Sequence, residues 1–413
     1  MSNWEWKKLG DVCEFQGGAQ PPKEEWIKEN RSGYIRMLQI RDFTQSRNFD
    51  IEYVKKTSKL RICNENDILL GRYGASVGKV LTGLSGAYNV AIVKTIPNSE
   101  YSKLFIKYYF QSPLFQTRLL NLCNQRTAQA GFNKEDIYDF PIPYISLNEQ
   151  KHVVKTLDEK FAKIDKLKTA AETNLKNAKE LFETTLEKEL NPLSRHSERS
   201  EESSADLPSG WELKTLQEIC GKIVDGTHNS PPNKAKGDYQ YITAKNIKAD
   251  GIDLSDVTYV SKEVHKEIFA RCNPEKGDVL LIKDGATTGI AVINTLDYEF
   301  SLLSSVALIK VDKTKIYEKT LVYLLNSKAI YKQMRKKMDG AAITRLTLEK
   351  IKALQIPLPP LSVQKEIVAR LDKLSENVKR LEANYKQIIA NCDELKKSIL
   401  KKTFEGDSRS SRE

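Results

Sequence analysis

Cysteine and histidine are scarce in this 413-residue chain, six and four respectively. Cys13, Cys63, Cys123, Cys220, Cys272 and Cys392 form no C-x-x-C pair and have no histidine at metal-ligand spacing, which argues against a zinc module or a redox motif. They read as small buried apolar residues in a reducing compartment. His152, His196, His228 and His265 stand in unrelated contexts, so neither a triad nor a metal site is expected from them. No apolar run reaches bilayer-spanning length, and the polar start Met1-Ser2-Asn3-Trp4-Glu5 does not resemble a signal peptide; a cytoplasmic protein without membrane contact is expected. Nucleotide chemistry is missing as well. Gly71-Arg72-Tyr73-Gly74-Ala75-Ser76-Val77-Gly78-Lys79 has Tyr73 where a phosphate loop needs glycine, and Val80 where it needs serine or threonine. A glycine turn between two strands is the better reading. Ser230-Pro231-Pro232-Asn233 lacks the aromatic that would stack on a flipped base, and no glycine-rich strand-to-helix turn offers a place for S-adenosylmethionine. The chain therefore reads as a non-enzyme that binds no cofactor or metal of its own.

What the chain does have is positive charge and a repeated sequence. A net charge of +11 and a pI near 9.1 point to an anionic partner, nucleic acid being the commonest case. Trp4-Glu5-Trp6-Lys7-Lys8-Leu9 returns as Trp211-Glu212-Leu213-Lys214-Thr215-Leu216, at an offset of 207. Tyr34-Ile35 with Gln39-Ile40 matches Tyr241-Ile242 with Asn246-Ile247 at the same offset. Asp67-Ile68-Leu69-Leu70 with Gly74-Ala75 and Gly78 returns at 211, as Asp278-Val279-Leu280-Leu281 with Gly285-Ala286 and Gly289. Ile142-Pro143, Leu147, Gln150-Lys151 and Leu157-Asp158 return at 214, as Ile356-Pro357, Leu361, Gln364-Lys365 and Leu371-Asp372. An offset that only creeps upward indicates two copies of one module.

Each copy begins with short apolar runs punctuated by Gly, Asn and Asp. Tyr34–Ile40, Ile68–Leu70, Val90–Thr95, Tyr241–Ile247, Val279–Ile282 and Val306–Val311 read as strands, and Lys103–Gln111 and Lys319–Leu325 as helices. Each copy then passes through prolines into a long helix, with Asn148 or Ser362 as the expected N-cap. Leu157, Ile164, Leu167, Ala171, Ala178 and Leu181 form an apolar seam in the first helix. Leu371, Leu374, Val378, Leu381, Tyr385, Ile388, Cys392, Leu395 and Ile399 form one in the second. Steps of three and four residues suit pairing with a partner helix. The expected fold class is α+β: two pseudo-symmetric mixed globules separated by two long antiparallel coiled-coil helices. The expected boundaries are 1–147 for the first globule, 148–190 for its helix, 191–210 for a flexible linker, 211–361 for the second globule, 362–404 for its helix, and 405–413 for a polar tail. About 40 residues per helix would make a rod of roughly 60 Å.

Polar and basic residues gather at the expected turns. The first copy offers Arg36, Gln39 and Arg41, then Arg72, Tyr73 and Lys79, then Gln125, Arg126 and Gln129. The second offers Thr243, Lys245, Asn246 and Lys248, then Lys283, Asp284, Thr287 and Thr288, then Thr344 and Arg345. Arg and Lys suit guanine edges and phosphates, and Asn and Gln suit adenine edges. Copies that share a frame but differ in these loops would read different sequences.

The repeated Trp-Glu-x-Lys-x-Leu opening, the Asp-Ile/Val-Leu-Leu strand with its Gly-Ala-x-x-Gly turn, and the Ile-Pro … Leu … Gln-Lys lead into a long helix resemble the specificity subunits of type I restriction-modification systems over nearly the whole chain. The resemblance implies two target recognition domains, each reading one half of a bipartite, asymmetric site in double-stranded DNA. It also implies spacer helices that dock two modification (methyltransferase) subunits, and restriction (ATP-dependent translocase/nuclease) subunits joining the complex. S-adenosylmethionine, ATP and Mg would then belong to the partners. The rival readings are a coiled-coil scaffold whose globules bind protein, and a self-contained methyltransferase or nuclease. DNA mobility shift and methyl incorporation by the purified chain discriminate them.

Overall fold

The computed structural model describes residues 4–44, 50–125, 131–191, 207–337 and 345–405. The chain divides into two compact units. One runs to Glu172 and takes up again from Lys386; the other spans Thr173–Tyr385. Each contains one globule, part of its own long helix, and part of the other copy's helix.

In both units the two most repeated motifs pair with each other. Glu5–Lys8 runs antiparallel to Pro141–Tyr144, and Glu212–Thr215 to Gln355–Leu358. The Trp-Glu-x-Lys strand and the Ile-Pro strand thus clasp the beginning of a globule to its end. Ile142 and Ile356 point into the cores and are fully buried. Proline, which cannot donate to a ladder, is tolerated because these sheets have only two strands.

Between the clasp strands the chain builds a four-stranded sheet in the same order in each copy. The first is Cys13–Gly17, Ile92–Pro97, Ile68–Gly71, Val80–Leu81; the second is Cys220–Asp225, Val306–Val311, Val279–Ile282, Ala291–Ile293. The central strands Ile68–Gly71 and Val279–Ile282 are buried along their whole length, as their unbroken apolar runs require. The helices Lys103–Gln111 and Glu318–Leu325 cover one face through Phe105, Tyr109 and Leu321, Leu324. The α+β class and the duplication are as the sequence suggests, and all six cysteines are buried.

Strand register corrects one equivalence. Met37 and Leu38 pair in parallel with Ala87 and Tyr88, as Tyr241 and Ile242 do with Ser301 and Leu302. Met37-Leu38, not Tyr34-Ile35, is therefore the counterpart of Tyr241-Ile242. The offset there is 204, below rather than level with its neighbours, because both the Tyr-Ile pair and the Gln39-Ile40/Asn246-Ile247 pair fall three residues out of register. Gln39 and Thr243, whose N–H groups donate to Asp42 and Asn246, are the true counterparts. A bulge between Cys220 and Lys222 adds one residue to the second copy's first strand.

The long helices span Leu147–Leu190 and Leu361–Glu405. Neither expected cap is the real one. Ser146 caps the first helix: its Oγ accepts from the Glu149 N–H at 3.3 Å while its own N–H donates to the Glu149 carboxylate at 2.9 Å. The second follows Pro360, leaving Ser362 inside the first turn. The repeated glutamine explains itself here. Gln150 is fully buried; its amide donates to the Glu100 and Ile145 carbonyls and accepts from the Ser102 N–H. Gln364 does the same with Lys315, Pro359 and Tyr317.

In each unit the two long helices run antiparallel. Lys168 pairs with Asp393 at 2.7 Å and Lys396 with Asp165 in one; Arg370 pairs with Glu189 at 2.6 Å in the other. Leu157, Ile164, Leu371 and Val378 are buried, and Leu374 and Ile388 half-buried, as a pairing seam requires. Leu167, Leu181, Leu381 and Leu395 are not in it: they are 54, 54, 39 and 49 % exposed. The seam positions beside them belong to Lys168, Phe182, Glu382 and Lys396, which are half-buried. Phe404 closes the second helix against Phe105 and Tyr109 of the first globule, with ring centroids at 5.3 and 5.9 Å. Of the expected linker, residues 192–206 lie outside the described residues, as do 406–413 of the tail. Asn191 is buried at the helix end, its N–H donating to the Glu187 carbonyl.

Candidate nucleic-acid interface

The glycine turn is the most distinctive local feature of both globules. Gly74 and Gly78 in the first copy, and Gly285 and Gly289 in the second, have φ of 58, 74, 104 and 105°. These left-handed conformations let the central strand reverse within a few residues. In each copy a returning segment bridges to this turn, Gly131 to Tyr73 and Arg345 to Asp284. The frame is the same; its side chains differ. A Cβ on Gly131 would stand 2.5 Å from the Tyr73 ring, so glycine is what lets that ring pack there. In the second copy the place of ring and glycine is taken by an acid and a base, Asp284 and Arg345, 3.5 Å apart.

Around these turns the suggested contact residues separate into three groups. Tyr73, Lys79, Gln125, Thr287 and Arg345 are exposed, Arg345 while paired with Asp284. A second group is polar but already partnered. Arg36 donates to Asp42 at 2.7 Å, Gln39 to Glu52 at 2.9 Å, and Arg41 to Glu52 as well. Lys245 pairs with Asp256 at 3.0 Å, Thr243 donates to Asn246, and Arg72 is held by the Phe132 carbonyl and the Asn133 side chain. Burial alone would raise the Glu52 carboxyl, but Lys23, Gln39 and Arg41 outweigh it and hold it below the usual carboxylate range.

The third group is buried and unsuited to reading bases in this conformation. Asn246 spends its amide on the Asp253 and Asp256 carbonyls, and its oxygen on Thr243. Thr288 donates to the Gly285 carbonyl at 2.7 Å. Lys283 is sealed between Asp225 at 3.4 Å and Asp284 at 3.2 Å. These three are structural residues of the frame. Arg126, Gln129 and Thr344 lie outside the described residues.

Sequence reasoning passed over a cleft of about 350 Å³ in the first globule, whose lining includes Arg61, Arg72 and Lys134. Its lining residues are far apart in sequence, so no local pattern marks them. Among the described residues no cluster of His, Cys, Asp and Glu is arranged to hold a metal, and no helix is long and apolar enough to cross a membrane.

This duplicated frame matches the type I restriction modification DNA specificity domain over residues 1–177 and again over 208–390. The chain belongs to that family: it is a non-catalytic specificity subunit with DNA recognition domains. It is 23 % identical to the type I restriction enzyme MjaVIII specificity subunit of Methanocaldococcus jannaschii, over 98 % of this chain and 93 % of that one. It is 22 % identical to the EcoBI specificity subunit of Escherichia coli, over 92 and 81 %. The fold is also that of the solved HsdS subunit from Thermoanaerobacter tengcongensis, at a TM-score of 0.54 and 19 % identity, covering 98 % of each chain. A chain solved in work on complex assembly and conformational transition of the type I R-M system superposes at a TM-score of 0.74 with 20 % identity, over 98 % of this chain and 99 % of that one.

Proposed function

We propose that the two globules each read one half of a bipartite, asymmetric site in double-stranded DNA in the cytoplasm, and that the long helices set the number of unread base pairs between the halves. The observation that carries this reading is the glycine turn: one backbone frame, built twice, presents Tyr73 and Lys79 in one globule and Thr287 and Arg345 in the other. Side chains at such a turn distinguish base pairs by hydrogen-bonding fit to their edges, about 1–3 kcal/mol per good bidentate pair. Lysine and arginine elsewhere on the basic surface add sequence-blind, salt-dependent affinity.

The same helices dock two modification subunits, with restriction subunits joining that complex. S-adenosylmethionine, ATP and Mg are bound by those partners and not by this chain. Support comes from the four exposed leucines. Leu167 and Leu381 differ by 214 residues, as do Leu181 and Leu395, so each long helix offers the same two-heptad apolar ladder. Two equal ladders suit two copies of one partner. Comparing adenine methylation across the host genome with and without the gene tests the whole reading. A single split motif with a fixed gap should vanish on deletion. Loss of a contiguous motif, or no loss in a host that carries modification subunits, would refute it.

A further inference from the structure

The two globules can be aligned residue by residue through their hydrogen bonds, and one matched pair has changed character. Gly17 faces Val93 and Asp225 faces Ala307, equivalent rungs of equivalent strands. One strand over, the Arg72 N–H donates to the Ala91 carbonyl and the Lys283 N–H to that of Ser305, while the Arg72 and Lys283 carbonyls accept from Phe132 and Leu346. Gly17 therefore corresponds to Asp225, and Arg72 to Lys283.

In the second globule this cation is neutralised. Lys283 and Asp225 are both 2 % exposed, and Asp284 and Arg271 complete the network. In the first globule the carboxylate is gone. The Arg72 guanidinium meets only neutral groups: the Phe132 carbonyl at 3.3 Å, the Val90 carbonyl at 3.5 Å, Asn133 Oδ1 at 3.2 Å and the Tyr73 ring, whose centroid lies 5.0 Å from the guanidinium carbon. Among the described residues no carboxylate pairs with it. A cleft of about 350 Å³ opens where the missing side chain would project, and Arg61 and Lys134 line it with Arg72 against Glu14 and Glu135. A guanidinium fixed by neutral acceptors keeps its full charge and has donors left for an outside anion.

We propose that Gly17 leaves Arg72 uncompensated so that the cleft of the first globule takes a backbone phosphate of DNA, a site the second globule has closed by setting Asp225 against Lys283. This rests on the DNA-reading function above and adds an asymmetry to it: the first globule gains a phosphate anchor that its twin lacks. Three cations face two carboxylates across the cleft, and Lys134 pairs with Glu135 at 3.8 Å, so Arg72 and Arg61 are the donors that would meet a phosphate oxygen.

Gly17→Asp restores the second globule's arrangement. A Cβ at Gly17 would meet only Arg72 Nη1, at 3.6 Å, an ordinary contact, so Gly17→Ala serves as the uncharged control. The full chain is titrated with a fluorescent random-sequence duplex at several salt concentrations. G17D and Arg72→Gln should each flatten the plot of log affinity against log salt by about 0.9, the worth of one phosphate contact. The double variant should show no further change, and G17A none at all. Salt dependence left intact by both G17D and R72Q, beside an unaltered protein that binds, would overturn this assignment alone. So would equal flattening by G17A. No binding by the unaltered protein at low salt would overturn the DNA reading, and this site with it.

Discussion

Gln150 and Gln364 each join the first turn of a long helix to the globule before it, and each is fully buried with three hydrogen bonds. Gln150→Leu would strand two carbonyls and an N–H without partners, and should cost about 2–4 kcal/mol in urea unfolding. Asp67 makes a second prediction. Burial alone would raise its carboxyl, but hydrogen bonds from Lys103 and Lys94 prevail and bring it to about 2. Its folded value lies below the unfolded one near 3.9, so its contribution is complete above that value and fades as pH falls toward 2. The stability gap between the native protein and Asp67→Asn should be constant above about pH 5 and shrink between about 4 and 2. At this scale the sequence was least legible. Residue type alone could not tell exposed Arg345 from sealed Lys283, because Asp225 reaches Lys283 from a strand 58 positions earlier. Likewise Glu52, which occupies Gln39 and Arg41, lies outside any motif.

The long helices were legible in extent and misread in face. Both ends fell within a residue or two, because prolines mark the start and apolar spacing persists to Phe404. At two of the four misplaced leucines the seam drifted because the leucine adjoins a lysine. Reading hydrophobicity favours Leu167 over Lys168 and Leu395 over Lys396, yet the lysines pair across the helices with Asp393 and Asp165. Lysine can do this because its stem is apolar and only its ammonium needs a polar partner. Leu371→Ala should therefore cost about 2–5 kcal/mol. Leu167→Ser or Leu395→Ser should change the stability of the isolated chain by no more than about 0.5 kcal/mol while weakening capture of a co-expressed modification subunit. A large loss of stability in the isolated chain would return these leucines to the seam.

On the scale of the whole molecule, the repeat itself was plain, since the clasp strands and the Gln-Lys turn recur with almost the same letters. Its one false register came from two coincidental dipeptides at the same spacing. Exchanging residues 4–145 for the equivalent globule of another specificity subunit should alter one half of the methylated motif and leave the other unchanged. Adding one heptad to each long helix, about 10 Å, should widen the gap between half-sites by about three base pairs; an unchanged gap would show that the helices do not set it. Phe404 adds a matter of timing. The second globule's core is complete by Leu371, but the first draws on Cys392, Leu400 and Phe404. During synthesis the first globule must wait, unfinished, until residues 392–404 have left the ribosome. A nonsense codon just before Cys392 would thus damage the amino-terminal reader while sparing its twin.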